Sequence, residues 1–355
     1  MFLNESCLHQ DKHFAQIRRE RMEKILSVSI ASYNVEKFIR KALDSCCVPE
    51  IMDRLEVLVV NDGSTDSTLK IAREYETQYP QTFRVIDKKN GGYGSTVNAS
   101  IKAATGKYFR LLDGDDWFDR DGLVRFIDEL TQAEEDMIIA QFKRVFEEDG
   151  HEELRDEAED IKEKVVHFDA LSGHDWFTMH AISYRTKILQ ENDIRLTEHC
   201  FYTDQEYDLL PLPYVDTVRI FPHVVYCYRI GRGEQSVSPE GLEKHYNDQT
   251  IVLKRLYTVY PDAGKKKTAK DKYIFNYFVL RTFLQIKVFL VISKSNMHRQ
   301  ELINFLRYLK REQPLIYKEL LRTSKILKIL LATRFAAYGI LHKKLREEYR
   351  YLIPG

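Results

Sequence analysis

Four apolar runs in the first third of the chain each end in small polar and acidic residues. They are "ILSVSIASYN" (25–34), "LEVLVVNDGSTD" (55–66), "FRVIDK" (83–88) and "KYFRLLDGDD" (107–116). Between them lie "VEKFIRKALDSCC", "STLKIAREYETQY" and "GGYGSTVNASIKAATG", the first two with apolar spacing suited to helices and the third a loop leading into one. Asp66 or Ser67 is placed to cap the second of these helices. Strand–helix alternation at this spacing predicts an α/β fold with a parallel, doubly wound sheet. In such sheets ligands bind outside the carboxyl ends of the strands. Three polar clusters fall there: Ser32–Asn34, Asn61–Asp66 and Asp113–Asp116.

Past the fourth run the pattern changes. "DMIIAQFKRVFEEDG" reads as a strand entering a hairpin, and the acidic stretch 147–163 as an exposed excursion. "VRIFPHVVYCYRI" reads as a strand pair. From about Gly241 the pattern is helical to the end, broken at Pro261 and Pro314. The domains expected are a leader helix over 1–24, a catalytic α/β domain over 25–240 and a helical region over 241–355.

Bulk composition narrows the class. Lys+Arg and Asp+Glu both number 54, so no global field points to nucleic acid. Five cysteines form no CxxC pair, which argues against a disulfide framework or zinc site and for a reducing, cytoplasmic setting. The apolar region 273–292 is interrupted by Arg281, Gln285 and Lys287, and reads as a buried or amphipathic helix instead of a membrane span.

The acids at 113–116 need a positive partner, because close carboxylates repel. They are hard oxygen donors, which suit Mg²⁺ or Mn²⁺ and not zinc. Gly114 permits close backbone approach. Asp116 is either an outer ligand or a helix cap. "KKNGGYGST" (88–96) is glycine-rich but is neither G-x-G-x-x-G nor a Walker loop.

Taken in order, "VSIASYN", "VLVVNDGSTDST", "ATGKYFRLLDGDDW" and "FYTDQEY" resemble the inverting family 2 glycosyltransferases, of the bacterial polysaccharide-assembly type, over roughly residues 25–240. The resemblance implies the GT-A fold, a Rossmann-like mixed sheet flanked by helices that binds a nucleotide sugar. It implies Asp115 as metal ligand and Asp113 on the ribose hydroxyls of a UDP-sugar. Asp62 would accept the uracil N–H. Tyr33 would stack on the base beside the Ala31 backbone, unless it packs in the core. The loop near Gly92 would border the donor, unless it is only a tight turn. Asp204 would be the base that removes the acceptor proton, unless it caps the helix that follows. The family has Glu-Asp where this chain has Thr203-Asp204, and Glu206 is the fallback base. Arg229, Arg232 and Ser236 in "YCYRIGRGEQSVS" would meet a phosphate or lie in a solvated loop. His174 and His180 fall where the acceptor side usually sits.

The resemblance therefore implies metal-dependent, inverting transfer from a UDP-sugar to a saccharide or lipid-linked saccharide hydroxyl in surface-polymer synthesis. Residues 320–350 carry eight basic side chains against two acidic ones, with leucines and isoleucines near helical spacing. That pattern fits either a peripheral contact with the inner face of the plasma membrane or a helix packed on the catalytic domain. The rivals are a non-catalytic partner of another transferase and a nucleotidyltransferase. Whether the chain forms a homo-oligomer is left open.

Overall fold

The structure is a computed structural model that describes residues 24–352 apart from 172, 174, 175, 232–238, 293 and 294. The leader expected over 1–24 thus lies, but for Lys24, outside the described residues. In chain order the elements are β1 (Leu26–Ser32), α1 (Ile39–Cys46), β2 (Leu55–Asp62), α2 (Thr68–Gln78), β3 (Phe83–Lys88), α3 (Tyr93–Ala103), β4 (Tyr108–Asp113), β5 (Trp117–Phe118) and α4 (Arg120–Gln132). Then come β6 (Met137–Phe146), β7 (Glu152–Arg155), β8 (Val165–His167), β9 (Ile182–Arg185), α5 (Thr186–Glu191), α6 (Asp204–Leu209) and β10 (Thr217–Ile230). Six helices follow: α7 (Pro239–Val259), α8 (Ala269–Val291), α9 (Asn296–Glu312), α10 (Pro314–Thr323), α11 (Lys325–Ala332) and α12 (Tyr338–Leu352).

The four apolar runs form β1–β4, which pair in parallel in the order β3-β2-β1-β4. The buried faces of β1 and β2 explain their unbroken apolar character, since helices cover both sides of a parallel sheet. Beyond β4 the sheet becomes mixed, as the resemblance implied. β9 runs antiparallel between β4 and β6, and β6 pairs parallel with β10. Arg110 on β4 helps to lock this reversal. Its buried guanidinium donates to the carbonyls of His180 and Ala181 and to Ser183 Oγ at 2.9 Å.

"VRIFPHVVYCYRI" is one 14-residue strand, not two. The register slips between Phe221 and Tyr226, and Pro222 sits in that bulge, where its missing N–H breaks no ladder bond. "DMIIAQFKRVFEEDG" does enter a hairpin, β6–β7. The acidic excursion is only partly exposed, because Ala158 is buried and Glu157 is bonded to Thr178.

The helical region packs on the sheet domain. Tyr273 accepts from the Phe177 N–H at 2.9 Å, Tyr260 donates to the Leu209 carbonyl at 2.5 Å, and Lys270 pairs with Asp216 at 3.1 Å. Helix α8 alone among the described helices has the length and hydropathy of a membrane span. Over half of its apolar window is buried within the fold, and it carries the largely buried Arg281. The basic stretch 320–350 is not one helix. Ser324 caps α11, accepting from the Leu327 N–H at 3.1 Å, and Arg334 and Phe335 take positive φ before α12. Leu320, Leu327, Leu330 and Leu345 point into the fold.

Candidate functional site

The strand register aligns the polar clusters. Ala31 on β1 stands opposite Asp113 on β4 and Val60 on β2, and Ser32 opposite Asn61. The carboxyl edge of the sheet therefore holds Ala31 in one row with Asp113, and Asp62 two positions further along β2. Tyr33, just past β1, is 51% exposed, which removes the core-packing alternative. Asp66 acts locally. Its carboxylate accepts from the N–H groups of Thr68 (3.0 Å) and Glu36 (3.1 Å), and these bonds hold its pKa below the usual value despite some burial.

Asp62 is buried at the end of β2. It accepts from the Gly91 and Gly92 N–H groups at 2.9 and 2.8 Å and pairs with Lys88 at 2.7 Å. The carboxylate thus pins the glycine loop to the strand edge. Gly92 needs its freedom, with φ +80 and His199 N 3.1 Å from where a Cβ would lie. At Gly94 a Cβ would fall 2.1 Å from the Thr197 carbonyl, so the loop seats tightly against residues 196–200.

The aspartate turn is clamped from the far side. β5 pairs antiparallel with β10, Phe118 opposite Tyr226, and so brings β10 beside Asp113–Asp116. Tyr226 donates its hydroxyl to Asp116 at 2.5 Å and accepts from the Asp113 N–H at 3.2 Å. The Arg229 N–H reaches Asp116 at 2.8 Å. Burial, then the charges of Asp115 and Asp113, push Asp116 well above the usual carboxylate range. One carboxylate or imidazole atom each from Asp113, Asp116 and His180 lies within 4.8 Å of the others. His180 rests among Phe142, Tyr226 and Tyr228, with ring centroids 4.4–5.2 Å away. Burial, then Arg110 and Arg144, lower its pKa to about 3, so the imidazole is neutral. A neutral imidazole beside carboxylates is a donor set for Mn²⁺ or Mg²⁺.

Arg229 has a task other than the phosphate contact expected. Its Nε donates to the Asp115 carbonyl at 2.6 Å, its Nη1 pairs with Glu147, and its guanidinium lies over Phe38 and Trp117. It braces the turn. Arg232, Ser236 and His174 lie outside the described residues.

Asp204 is the first residue of α6, one turn before Asp208. Thr203 occupies the cap position but makes no side-chain cap bond. Burial raises the Asp204 pKa, and Arg281 is the largest influence opposing that rise. Asp208 is buried, accepts from Tyr277 at 3.5 Å and lies 4.0 Å from Arg281. Burial and then Asp204 raise its pKa well above normal. Glu206, the fallback base, is committed elsewhere: it accepts from the Thr197 N–H and hydroxyl and pairs with Arg255 at 2.6 Å. It fastens the loop that backs Gly94 to α7. Tyr93 joins the two acidic groups. Burial lifts its hydroxyl pKa well above normal, with Asp113 and Asp204 as the next two causes and a hydrogen bond to Asp113 among the others.

The reading from residue types alone passed over Tyr93, Tyr226 and Arg281. Arg281 left a trace, because a cation inside an apolar helix requires a buried anion. Nothing local marks the two tyrosines.

The glycosyl transferase family 2 model matches residues 27–208, half of the chain. EpsH of Bacillus subtilis (strain 168) is 35% identical over 125 residues, 35% of this chain and 36% of that protein, so the match spans about a third of either. The uncharacterised glycosyltransferase EpsJ of the same strain is 27% identical over 259 residues, 70% of this chain and 74% of EpsJ. The crystal structure of S. aureus TarS 1–349 in complex with UDP-GlcNAc superposes with a TM-score of 0.65, covering 92% of each chain at 22% identity. With the mixed sheet flanked by helices and the acidic strand ends gathered at its carboxyl edge, the chain belongs to the family 2 glycosyltransferases and has their GT-A architecture.

Proposed function

We propose that this chain transfers a sugar from a UDP-sugar to an acceptor hydroxyl with inversion, using a divalent ion at the aspartate turn and Asp204 as the base. The observation that carries the reading is the group beside the end of β4, where one ligand atom each from Asp113, Asp116 and His180 lies within 4.8 Å of the others. Asp113 and Asp204 both act electrostatically on the Tyr93 hydroxyl, which donates to Met179 Sδ at 3.3 Å.

Tyr33 offers an exposed ring to the nucleobase next to the Ala31 backbone. Asp62 holds Gly91 and Gly92 in place; its Oδ1 already accepts from Gly91, Lys88 and Ser95, and its Oδ2, bonded to the Gly92 N–H, has a further lone pair for the ring N–H of uracil. Asp113 takes the ribose hydroxyls. Asp115 would hold the ion, next in the chain to Asp116, which with Asp113 and His180 forms a candidate ligand group that Asp115 is not part of. When bound, the ion supplies countercharge for a diphosphate leaving group.

Asp204 accepts the proton of the attacking acceptor hydroxyl as that oxygen reaches the anomeric carbon from the face opposite the diphosphate. The C–O bond to the diphosphate breaks as the new C–O bond forms, so the product is the β-linked sugar. Burial raises the basicity of Asp204, and Arg281 opposes that rise. The acceptor proposed is a saccharide or lipid-linked saccharide of a surface polymer, as the resemblance implies.

A thermal-shift screen of UDP- and GDP-sugars with Mn²⁺ tests the donor half. The expected result is a rise in melting temperature with UDP-sugars that needs the metal and is lost in Asp115→Ala. No response to any nucleotide sugar, or a product shown by NMR to be α-linked, would sink the reading.

A further inference from the structure

We propose that a cleft at one end of the helical region seats the headgroup and first acyl segment of an anionic lipid, docking the protein on a membrane surface. The cleft, about 590 Å³, lies between the turn joining α7 to α8 and the helices α10 and α11. Phe275, Leu315 and Leu321 supply its apolar lining, and Lys318, Arg322 and Lys328 its cations. Gly264 closes one side. With φ +82 its backbone lies flat on the Phe275 ring, and a Cβ there would stand 2.6 Å from Cδ2.

The charge at this cleft is one-sided. Arg322 pairs with Glu319, Nε at 3.0 Å, and Lys328 donates to the Arg322 carbonyl at 2.9 Å. Lys318 is exposed and makes no ion pair among the described residues. Lys265, Lys266 and Lys267 follow Gly264 directly and are exposed, with Asp262 paired to the first at 3.0 Å. Six cations therefore stand in or next to the cleft against three carboxylates, Asp262, Glu319 and Asp271, the last buried and accepting from the Gly264 N–H at 2.9 Å.

Charge alone would suit any polyanion, and the apolar groups choose among them. Leu315 is 37% exposed and Ile329 44% exposed, on the same two helices as the cations. A phosphodiester chain has no use for such groups, whereas a lipid presents a phosphate and hydrocarbon a few ångströms apart. Exposed apolar residues interleaved with lysines mark an interfacial surface. The leucines of 320–350 that point inward are already buried, so docking uses only the outward residues and needs no unfolding of the helices.

Vesicle co-sedimentation of the full chain, with no nucleotide present, tests this separately from the transferase reading. Phosphatidylcholine vesicles are compared with vesicles that also contain phosphatidylglycerol. The expected result is partition onto the anionic vesicles only, reversed by high salt. Lys318→Glu/Lys328→Glu should cut the partition coefficient at least about 25-fold, since each basic residue at such a surface is worth about fivefold. Leu315→Ser should weaken binding without changing its salt slope. Circular dichroism and melting of each variant report folding, and Lys266→Glu/Lys267→Glu on the exposed turn serves if the helix variants do not fold. Equal binding to neutral vesicles, wild-type partition in the charge-reversed variants, or release by inorganic phosphate at matched ionic strength would overturn the proposal.

Discussion

The aspartate turn and the Asp204 helix are both acidic, and the fold treats them in opposite ways. In the turn, Asp116 is held by the Tyr226 hydroxyl and the Arg229 backbone N–H. The carboxylates there raise one another, and the Arg229 guanidinium braces the turn from the Asp115 carbonyl. At the helix, Asp204 and Asp208 face a built-in cation, Arg281, delivered by α8 from the helical region. On the proposed reading the turn receives a divalent ion, whereas the helix carries Arg281 as its own cation opposing the rise in the Asp204 pKa.

The contrast is sharpest in Asp204→Asn. That variant should lose 10²–10⁴-fold in kcat while its thermal shift with UDP-sugar and metal is unchanged, as expected for loss of a general base alone. An equal loss of donor binding would mean the two clusters are one site energetically, not two.

Arg281→Leu should have a smaller effect with a distinctive pH signature. Arg281 lowers the raised pKa of Asp204, so its removal lets that pKa climb further. The base is active when deprotonated, and the acidic limb of the kcat profile should therefore move to higher pH. Activity near neutral pH should fall by about tenfold for each unit of that move, with most of it recovered in alkaline buffer. A uniform loss at all pH values would show that Arg281 matters only for packing.

Tyr226→Phe is expected to act mainly on stability. It strips a buried donor from Asp116 and should cost about 1–3 kcal/mol, read as a lower melting temperature. Added Mn²⁺ should recover part of the loss if the ion substitutes for the missing donor. A melting curve indifferent to metal in both proteins would place the ion away from this turn.

The legible parts of the site share one property, that their geometry is local. Asp62 and Asp113 end apolar runs, and a strand end in a parallel sheet fixes where they sit. Gly92 and Asp66 follow from turn and capping chemistry within a few residues. The roles that were not legible share another property. Arg229 was expected at a phosphate or in a solvated loop, and the sequence does not show Glu147, Phe38 and Trp117 closing around it. Glu206 looked like a spare base because its partners, Thr197 and Arg255, come from a preceding loop and a later helix. β9 was not read as a strand at all, because its direction depends on Arg110 and on pairing with both β4 and β6.

By itself the sequence determined the half-sheet β1–β4, the acidic row at its edge and the helical character of the last third. Period, strand ends and caps are encoded over a few residues, and backbone sterics turn them into structure without help from afar. Only the tertiary structure decided that β9 reverses, that Tyr226 and Tyr93 reach the carboxylates, and that Arg281 opposes the candidate base. Those outcomes depend on which distant groups share a dry volume, where an unmatched charge is too costly to keep, and no short window of sequence records that company.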